Sequence, residues 1–365
     1  MANGSFKTLG GNDIVSTRTL LHEAIPLTGT IVSGTYSDLN VKKHSHGMFE
    51  SVYDYPFLSS SANHIFDITA GVAANSNLYN TNNSQYKKKK NVYGQMAQVL
   101  VGYDITGSVL DFDSDGNILA GGDKLREVFI LPMSRLLVKD EIKKGTFSLE
   151  LGVTPTYTQD GKVFGERLTI TDASGSDGYF VNSPAGEYGL LFATASAAQV
   201  LKGNGKYACG LLYYQAGIAV LTASIFTVDS DGGLLHDSHH NVSCSGPSAV
   251  TEKIDAVLTG SLITGSADNL RTRMYNLSFN NTTELNSTIY FCRVRHDEFN
   301  YSSNPTYLSG SKIRVKTTAT QDPISYISTI GLYSSANELM AVAKLSEPLK
   351  KTPSQEFTLR VRLDY

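Results

Sequence analysis

Two stretches of the chain carry residue types suited to holding a metal ion. Asp111-Phe112-Asp113-Ser114-Asp115-Gly116-Asn117 sets carboxylates at its first, third and fifth positions and a glycine at the sixth, the first half of a calcium loop. The twelfth position is Gly122 in place of a bidentate glutamate, and no helical pattern precedes the loop. The stretch therefore reads as an Asp-Gly turn between strands, and the shorter Asp229-Ser230-Asp231-Gly232 reads the same way. His236, His239 and His240, with Asp237 and Cys244 close by, form the densest set of imidazole and thiol groups. Zinc needs three or four such ligands converging tetrahedrally, and the flanking glycines and serines read more simply as an exposed loop. Neither the Asp111–Asn117 loop nor the His236–His240 cluster completes a ligand set, so no metal and no cofactor is expected.

Nucleophilic and acid–base chemistry finds no better footing. No glycine-rich loop follows a strand in the manner of a phosphate cradle, and neither a GxSxG elbow nor an HExxH helix occurs. His44-Ser45-His46 reads as a loop histidine pair, and the carboxylates show no spacing that suggests a glycosidase pair. No catalytic residue is nominated, and the chain is not expected to be an enzyme.

The elements that would position these residues are mostly strands. Glu127–Leu131 and Thr146–Val153 are strand patterns, and Lys139–Lys144 between them reads as a short helical turn stopped by Gly145. Arg167–Thr171 and Tyr179–Asn182 follow, joined by the turn residues 172–178. Tyr207–Phe226 holds no charged residue over about the length of a membrane span. Gln215, Gly210 and Gly217, and the absence of positive-inside asymmetry, favour two buried strands joined at Gln215-Ala216-Gly217. Arg271–Phe279 and Ser287–Arg295 alternate and are expected to pair across Asn280–Asn286. Near the end, Lys312–Lys316, Tyr326–Tyr333 and Leu339–Leu345 read as strands, the last two joined by the turn Ser334–Asn337 and closed by Pro348. Phe357, Leu359, Val361 and Leu363 alternate with Thr358, Arg360, Arg362 and Asp364, so the apolar four are expected on one buried face, hydrogen-bonded into a sheet.

Helices are few. Val92, Met96, Val99, Leu100 and Tyr103 recur at helical spacing over about 84–102, behind Lys87-Lys88-Lys89-Lys90, which reads as a solvated face. A second helix is expected from Pro247, capped by Ser245, with Val250, Ile254, Val257 and Leu258 as its apolar side. Residues 1–80 are loop-rich, with a strand at Gly29–Tyr36 and a turn or short helix start at Leu58–His64. Their aromatics Phe49, Tyr53, Tyr55, Phe57 and Phe66 either pack on the chain's own core or form an arm that buries its rings on a neighbouring subunit. The fold class is thus mainly β with a few helices (α+β), in antiparallel, sandwich-like sheets behind an irregular N-terminal segment. Three regions follow: 1–80, that segment; 81–250, β-rich with one or two helices; and 251–365, a helix followed by an antiparallel β region.

Composition narrows the partners. With 365 residues, 41% apolar and only 18% charged, the chain can build a sizeable core under an uncharged polar surface, a mix that favours strands. A net charge of −3 gives no basis for a duplex-binding protein, so no specific nucleic-acid binding and no membrane partner is expected. Three cysteines without paired spacing suggest reduced thiols, and the first residues show no secretory signal pattern.

The phrases FNYSSNPTY, YISTIGLYSSANELMAVAKLSEPLKK and RVRLDY near the end, HGMFESVYDYPFLSSSANHIFDIT from His46, NVYGQMAQVLVG from Asn91 and IKKGTFSLELG from Ile142 together resemble virion structural proteins of tailed bacteriophages, notably contractile-tailed marine and cyanobacterial ones. The resemblance implies a structural virion component, assembled in the host cytoplasm, whose partners are copies of itself and other virion proteins. A symmetric ring or collar of the tail, baseplate or neck is the expectation. A capsid decoration protein or a host-binding adhesin module is the alternative.

Overall fold

The structure, a computed structural model, describes residues 6–26, 38–79, 81–118, 124–137, 140–153, 167–175, 178–195, 207–227, 262–302, 308–310, 312–313 and 318–365. The strand expected at Gly29–Tyr36, the helix expected from Pro247, Asp229–Gly232 and the His236–His240 cluster with Cys244 lie outside them. The chain forms two compact units, Leu21–Thr283 and Met1–Leu20 with Glu284–Tyr365. It is mainly β, in antiparallel sheets, as the sequence leads one to expect.

Strands β1 (Ile14–Pro26), β2 (Val41–Lys43), β3 (Glu50–Tyr53) and β4 (His64–Val72) precede helix α1 (Ser84–Leu100). After it come β5 (Phe112–Asp113), β6 (Lys124–Leu125), β7 (Glu127–Pro132), β8 (Glu141–Ile142), β9 (Ser148–Gly152) and β10 (Arg167–Thr171). Then follow β11 (Tyr179–Ser183), β12 (Gly186–Ala195), β13 (Tyr207–Tyr213), β14 (Ile218–Thr222), α2 (Ile263–Arg273) and β15 (Met274–Ser278). The chain closes with β16 (Asn280–Val294), β17 (Leu308–Ser309), β18 (Lys312–Ile313), β19 (Ser325–Tyr333), β20 (Leu339–Lys351) and β21 (Phe357–Asp364).

In the larger unit one long sheet runs β15-β9-β10-β12-β13-β14-β7-β4-β3-β2, with β11 added on β12. Its central strands are apolar on both sides. Val128 and Ile130 of β7 join an apolar layer with α1, while Phe129 and Leu131 join the opposite layer with Ala267 and Leu270 of α2. A strand buried on both faces loses the period-two alternation, which is why His64–Val72 reads as irregular in sequence. Among the described residues of 1–80, β2, β3 and β4 form one end of the long sheet.

Tyr207–Phe226 is indeed two buried strands, β13 and β14, turning through Gln215–Gly217, and Gly217 takes φ +63° there. Gly210 lets β13 close on β14, since a Cβ at that position would stand 2.1 Å from Val220 O. Among the described residues no helix is long and apolar enough to cross a membrane.

Helix α1 starts where expected, capped by Asn83 Oδ1 accepting from Gln85 N at 2.8 Å. Its buried face differs from the expected one. Lys89, Val92, Tyr93, Ala97 and Leu100 are buried, whereas Val99 is 62% exposed and Tyr103 is also open to solvent. Gly71 on β4 sets the rotation, because its missing Cβ makes room for the Tyr93 backbone. The four-lysine run is therefore not wholly solvated: Lys89 turns inward, 3.4 Å from Ser266 Oγ and over the Tyr86 ring, and burial lowers its pKa to about 8.

Three local expectations are overturned. Glu141 and Ile142 are extended and pair with Asn281 and Thr282, so the helical turn expected at Lys139–Lys144 is, over its described residues 140–144, a strand end followed by a turn at Gly145. A charged hexamer cannot nucleate a helix against such pairing. Residues 271–273 close α2 and do not begin a strand, and β15 pairs with β9 while β16 pairs with β8 and β21. The hairpin expected across Asn280–Asn286 is therefore absent, and those residues are themselves strand. Pro348 does not end β20. Ile327 faces Leu349 and Thr329 faces Lys344, so Leu345–Pro348 bulge opposite Ser328, where a residue without an N–H loses no ladder bond.

Candidate functional site

In the unit Met1–Leu20 and Glu284–Tyr365, strand β16 lies between β1 and β21. Ser16 Oγ meets Thr288 Oγ1 at 3.3 Å, and β21 runs antiparallel from Ser287↔Asp364 to Val294↔Phe357. The apolar alternation places Phe357, Leu359, Val361 and Leu363 on one face as expected, beside Thr288, Tyr290, Cys292 and Val294. That face is only half-buried, not closed over: the four β21 residues are all intermediate in exposure. Thr358, Arg360, Arg362 and Asp364 are exposed. The hairpin β19–β20 bears apolar side chains on both faces, with Tyr326, Tyr333, Leu339, Met340 and Val342 each between 46% and 69% exposed. Phe6 stacks edge-on against Tyr333. Among the described residues, Val294 is the one fully buried apolar side chain of this unit, while both apolar layers belong to Leu21–Thr283.

The acidic loop is filled by a cation of the protein itself. Asp113 is buried in β5, and Lys124 of the adjacent β6 sets its ammonium 2.5 Å from Asp113 Oδ2 and 3.0 Å from Ile118 O. Asp111 turns away to Asn75 and to the Tyr93 hydroxyl. Asp115 accepts from Asn117 N, closing the turn. Among the described residues, no three metal-ligating side chains converge anywhere.

A second charged cluster went unseen in the sequence. Glu50 of β3 is fully buried, and neither carboxyl oxygen accepts a hydrogen bond. Lys43 of β2 lies 3.6 Å from Glu50 Oε1 and 2.5 Å from Asp268 Oδ2 of α2, and Arg271 Nη2 donates to Asp268 Oδ1 at 2.6 Å. Burial, reinforced by the Asp268 carboxylate and opposed by Lys43 and Arg271, pushes the Glu50 pKa up to about 8. The shift favours the protonated, neutral Glu50, and the cluster ties α2 to the end of the sheet.

Beside it, Ser51, His44, Asp67 and His64 bring together the residue types of a nucleophilic triad in the wrong order. Ser51 Oγ donates to Asp67 Oδ1 at 2.6 Å, so His44 Nε2, 3.0 Å from Ser51 Oγ, must be donating to the serine. His64 Nε2 also reaches Asp67 Oδ1, at 2.8 Å. A triad needs the imidazole between hydroxyl and carboxylate, where it can take the serine proton. Here the hydroxyl is in the middle and the arrangement fixes β2, β3 and β4 to one another. His44 and His46, expected as a loop pair, stack at 5.2 Å. Of the N-terminal aromatics, Phe66 is core, Tyr53 packs with Phe57 and His64, and Tyr55 is 58% exposed.

The chain matches no protein-family model, no curated protein and no solved structure.

Proposed function

We propose that the chain is a structural component of a tailed-phage virion that self-assembles into a symmetric ring or collar of the tail, baseplate or neck. One observation carries this reading. The unit formed by Met1–Leu20 and Glu284–Tyr365 is built of well-formed strands, yet among the described residues it closes over a single apolar side chain, Val294. An isolated two-stranded hairpin such as β19–β20 is marginal in water, and a one-sided sheet keeps its register only when its apolar face is covered. Contacts with further subunits supply that cover. The larger unit, with apolar layers on both faces of its sheet, serves as the carrier. The resemblance to virion proteins along most of the chain agrees with such work, which is mechanical and not catalytic.

The test is direct. Purified virions should contain the protein by mass spectrometry, and a particle reconstruction should place it in a ring around the tail, baseplate or neck, with the 284–365 strands buried against neighbours. Density on the capsid lattice would reassign it as a decoration protein, and binding of the isolated chain to host cells would reassign it as an adhesin.

A further inference from the structure

The free edge of β21 has an order of its own. Asn286 and Tyr365 exchange both backbone hydrogen bonds, N to O at 3.0 and 2.9 Å, which fixes the phase of the antiparallel ladder. Counting back two residues at a time, Leu363, Val361, Leu359 and Phe357 spend their N–H and C=O groups on β16. Thr358, Arg360, Arg362 and Asp364 therefore aim theirs outward, and all four residues are exposed. Among the described residues no strand occupies that side of β21. No proline and no bulge interrupts Phe357–Asp364, and its edge is defended by charge alone.

We propose that this edge pairs with the same edge of a second copy of the chain, antiparallel about a two-fold axis at Leu363. The inference rests on the self-assembly reading above and gives it a contact. The charges choose the occupant and the register. With the axis at Leu363, Arg362 of each copy faces Asp364 of the other, and both are outward-pointing residues, so they form a hydrogen-bonded pair. Leu363 then meets Leu363 in the close, non-hydrogen-bonded position on the apolar face, and Val361 meets Tyr365, itself 68% exposed. Shifting the axis by one step to Arg362 would set two guanidinium groups against each other. Within one chain Arg362 Nε already donates to Asp364 Oδ1 at 2.6 Å, which holds both side chains on the same face, ready to exchange partners. An Arg-x-Asp sequence on an outward row is its own antiparallel complement, and this points to a copy of the chain in preference to a foreign strand. The isologous contact would join two protomers, or two rings back to back.

The experiment uses the full chain in a Cys292→Ser background. Leu363→Cys should oxidise to a disulfide-linked dimer on a non-reducing gel, because a non-hydrogen-bonded antiparallel pair brings two Cβ atoms within bridging range. Thr358→Cys, five residues from the axis and so far from its own copy, should not. By sedimentation, Arg362→Asp should weaken the dimer at least about tenfold by setting like charges together, and Arg362→Asp with Asp364→Arg should restore it. A monomeric wild-type protein, no Leu363→Cys cross-link, or a charge swap that fails to restore association would overturn the pairing. Virion incorporation, read separately by mass spectrometry of particles, tells failure of this contact apart from failure of the virion reading.

Discussion

Glu50 and Asp268, two buried carboxyl groups from distant parts of the chain, share the single ammonium of Lys43. Asp268 takes the short contacts with Lys43 and Arg271, and Glu50 is left with a charge it cannot solvate. Its pKa rises from an ordinary 4.5 to about 8. Between those values the folded protein holds a proton that the unfolded chain has released, so the Glu50 contribution to stability is fully present at low pH and is lost as pH rises towards 8, by on the order of a few kcal/mol. Urea unfolding between pH 6.5 and 8 follows the effect, since Asp172, raised to about 6, titrates mostly below that window. Lys89, lowered to about 8, contributes with opposite sign above it. Glu50→Gln should flatten the profile. A wild-type midpoint constant across this window would show that Glu50 is ionised in the fold.

Lys124 stands where a bound cation would, so its removal should be costly. Lys124→Ala leaves Asp113 buried without a counter-charge and should destabilise the protein by about 3 kcal/mol in thermal or chemical denaturation. Chelators should leave the melting temperature of the wild type within about a degree or two, because the loop's charge is already met. A large drop on chelation would show a metal doing this work.

Gly210→Ala should destabilise the central sheet by about 2–3 kcal/mol, since the new methyl meets the Val220 carbonyl oxygen at 2.1 Å and a backbone atom cannot swing aside. Gly94→Ala on α1, where nothing lies within 4 Å, should be neutral or stabilising by up to about 1 kcal/mol. Equal effects at the two sites would contradict the close approach of β13 and β14.

Val361→Asp separates the two units. Val361 is half-buried on a face that the protein leaves partly open, whereas the apolar layers of Leu21–Thr283 do not include it. The variant should keep its circular dichroism and the main unfolding transition but lose assembly, as should deletion of residues 356–365. Normal incorporation of either into particles would make β21 a dispensable tail.

Strands with one wet face were legible because alternation survives there: β21, β10 and β19 were read nearly to the residue. The end of the long sheet was harder, because β4 is buried on both sides and its alternation disappears. Helix α2 was missed altogether. Its sequence ITGSADNLRTR is polar, yet Asp268, Asn269, Arg271 and Arg273 are all buried, Asp268 between Arg271 and the distant Lys43, and Arg273 donating to Gly152 O. No local pattern announces a salt bridge between strand β2 and a helix that follows so much later in the chain. The acidic loop was half legible: Asp-Gly turn chemistry was plain, while Lys124 became its counter-ion only through the pairing of β5 with β6.

The bulge at Leu345–Pro348 also limits how far association can run. A long hairpin with apolar side chains on both faces is the kind of segment that stacks into endless cross-β fibres when many copies gather at one place. Three extra residues on one strand break the flat edge such stacking needs, and Pro348 offers no N–H to the next layer. The hairpin is thereby guarded against open-ended stacking of one copy on the next.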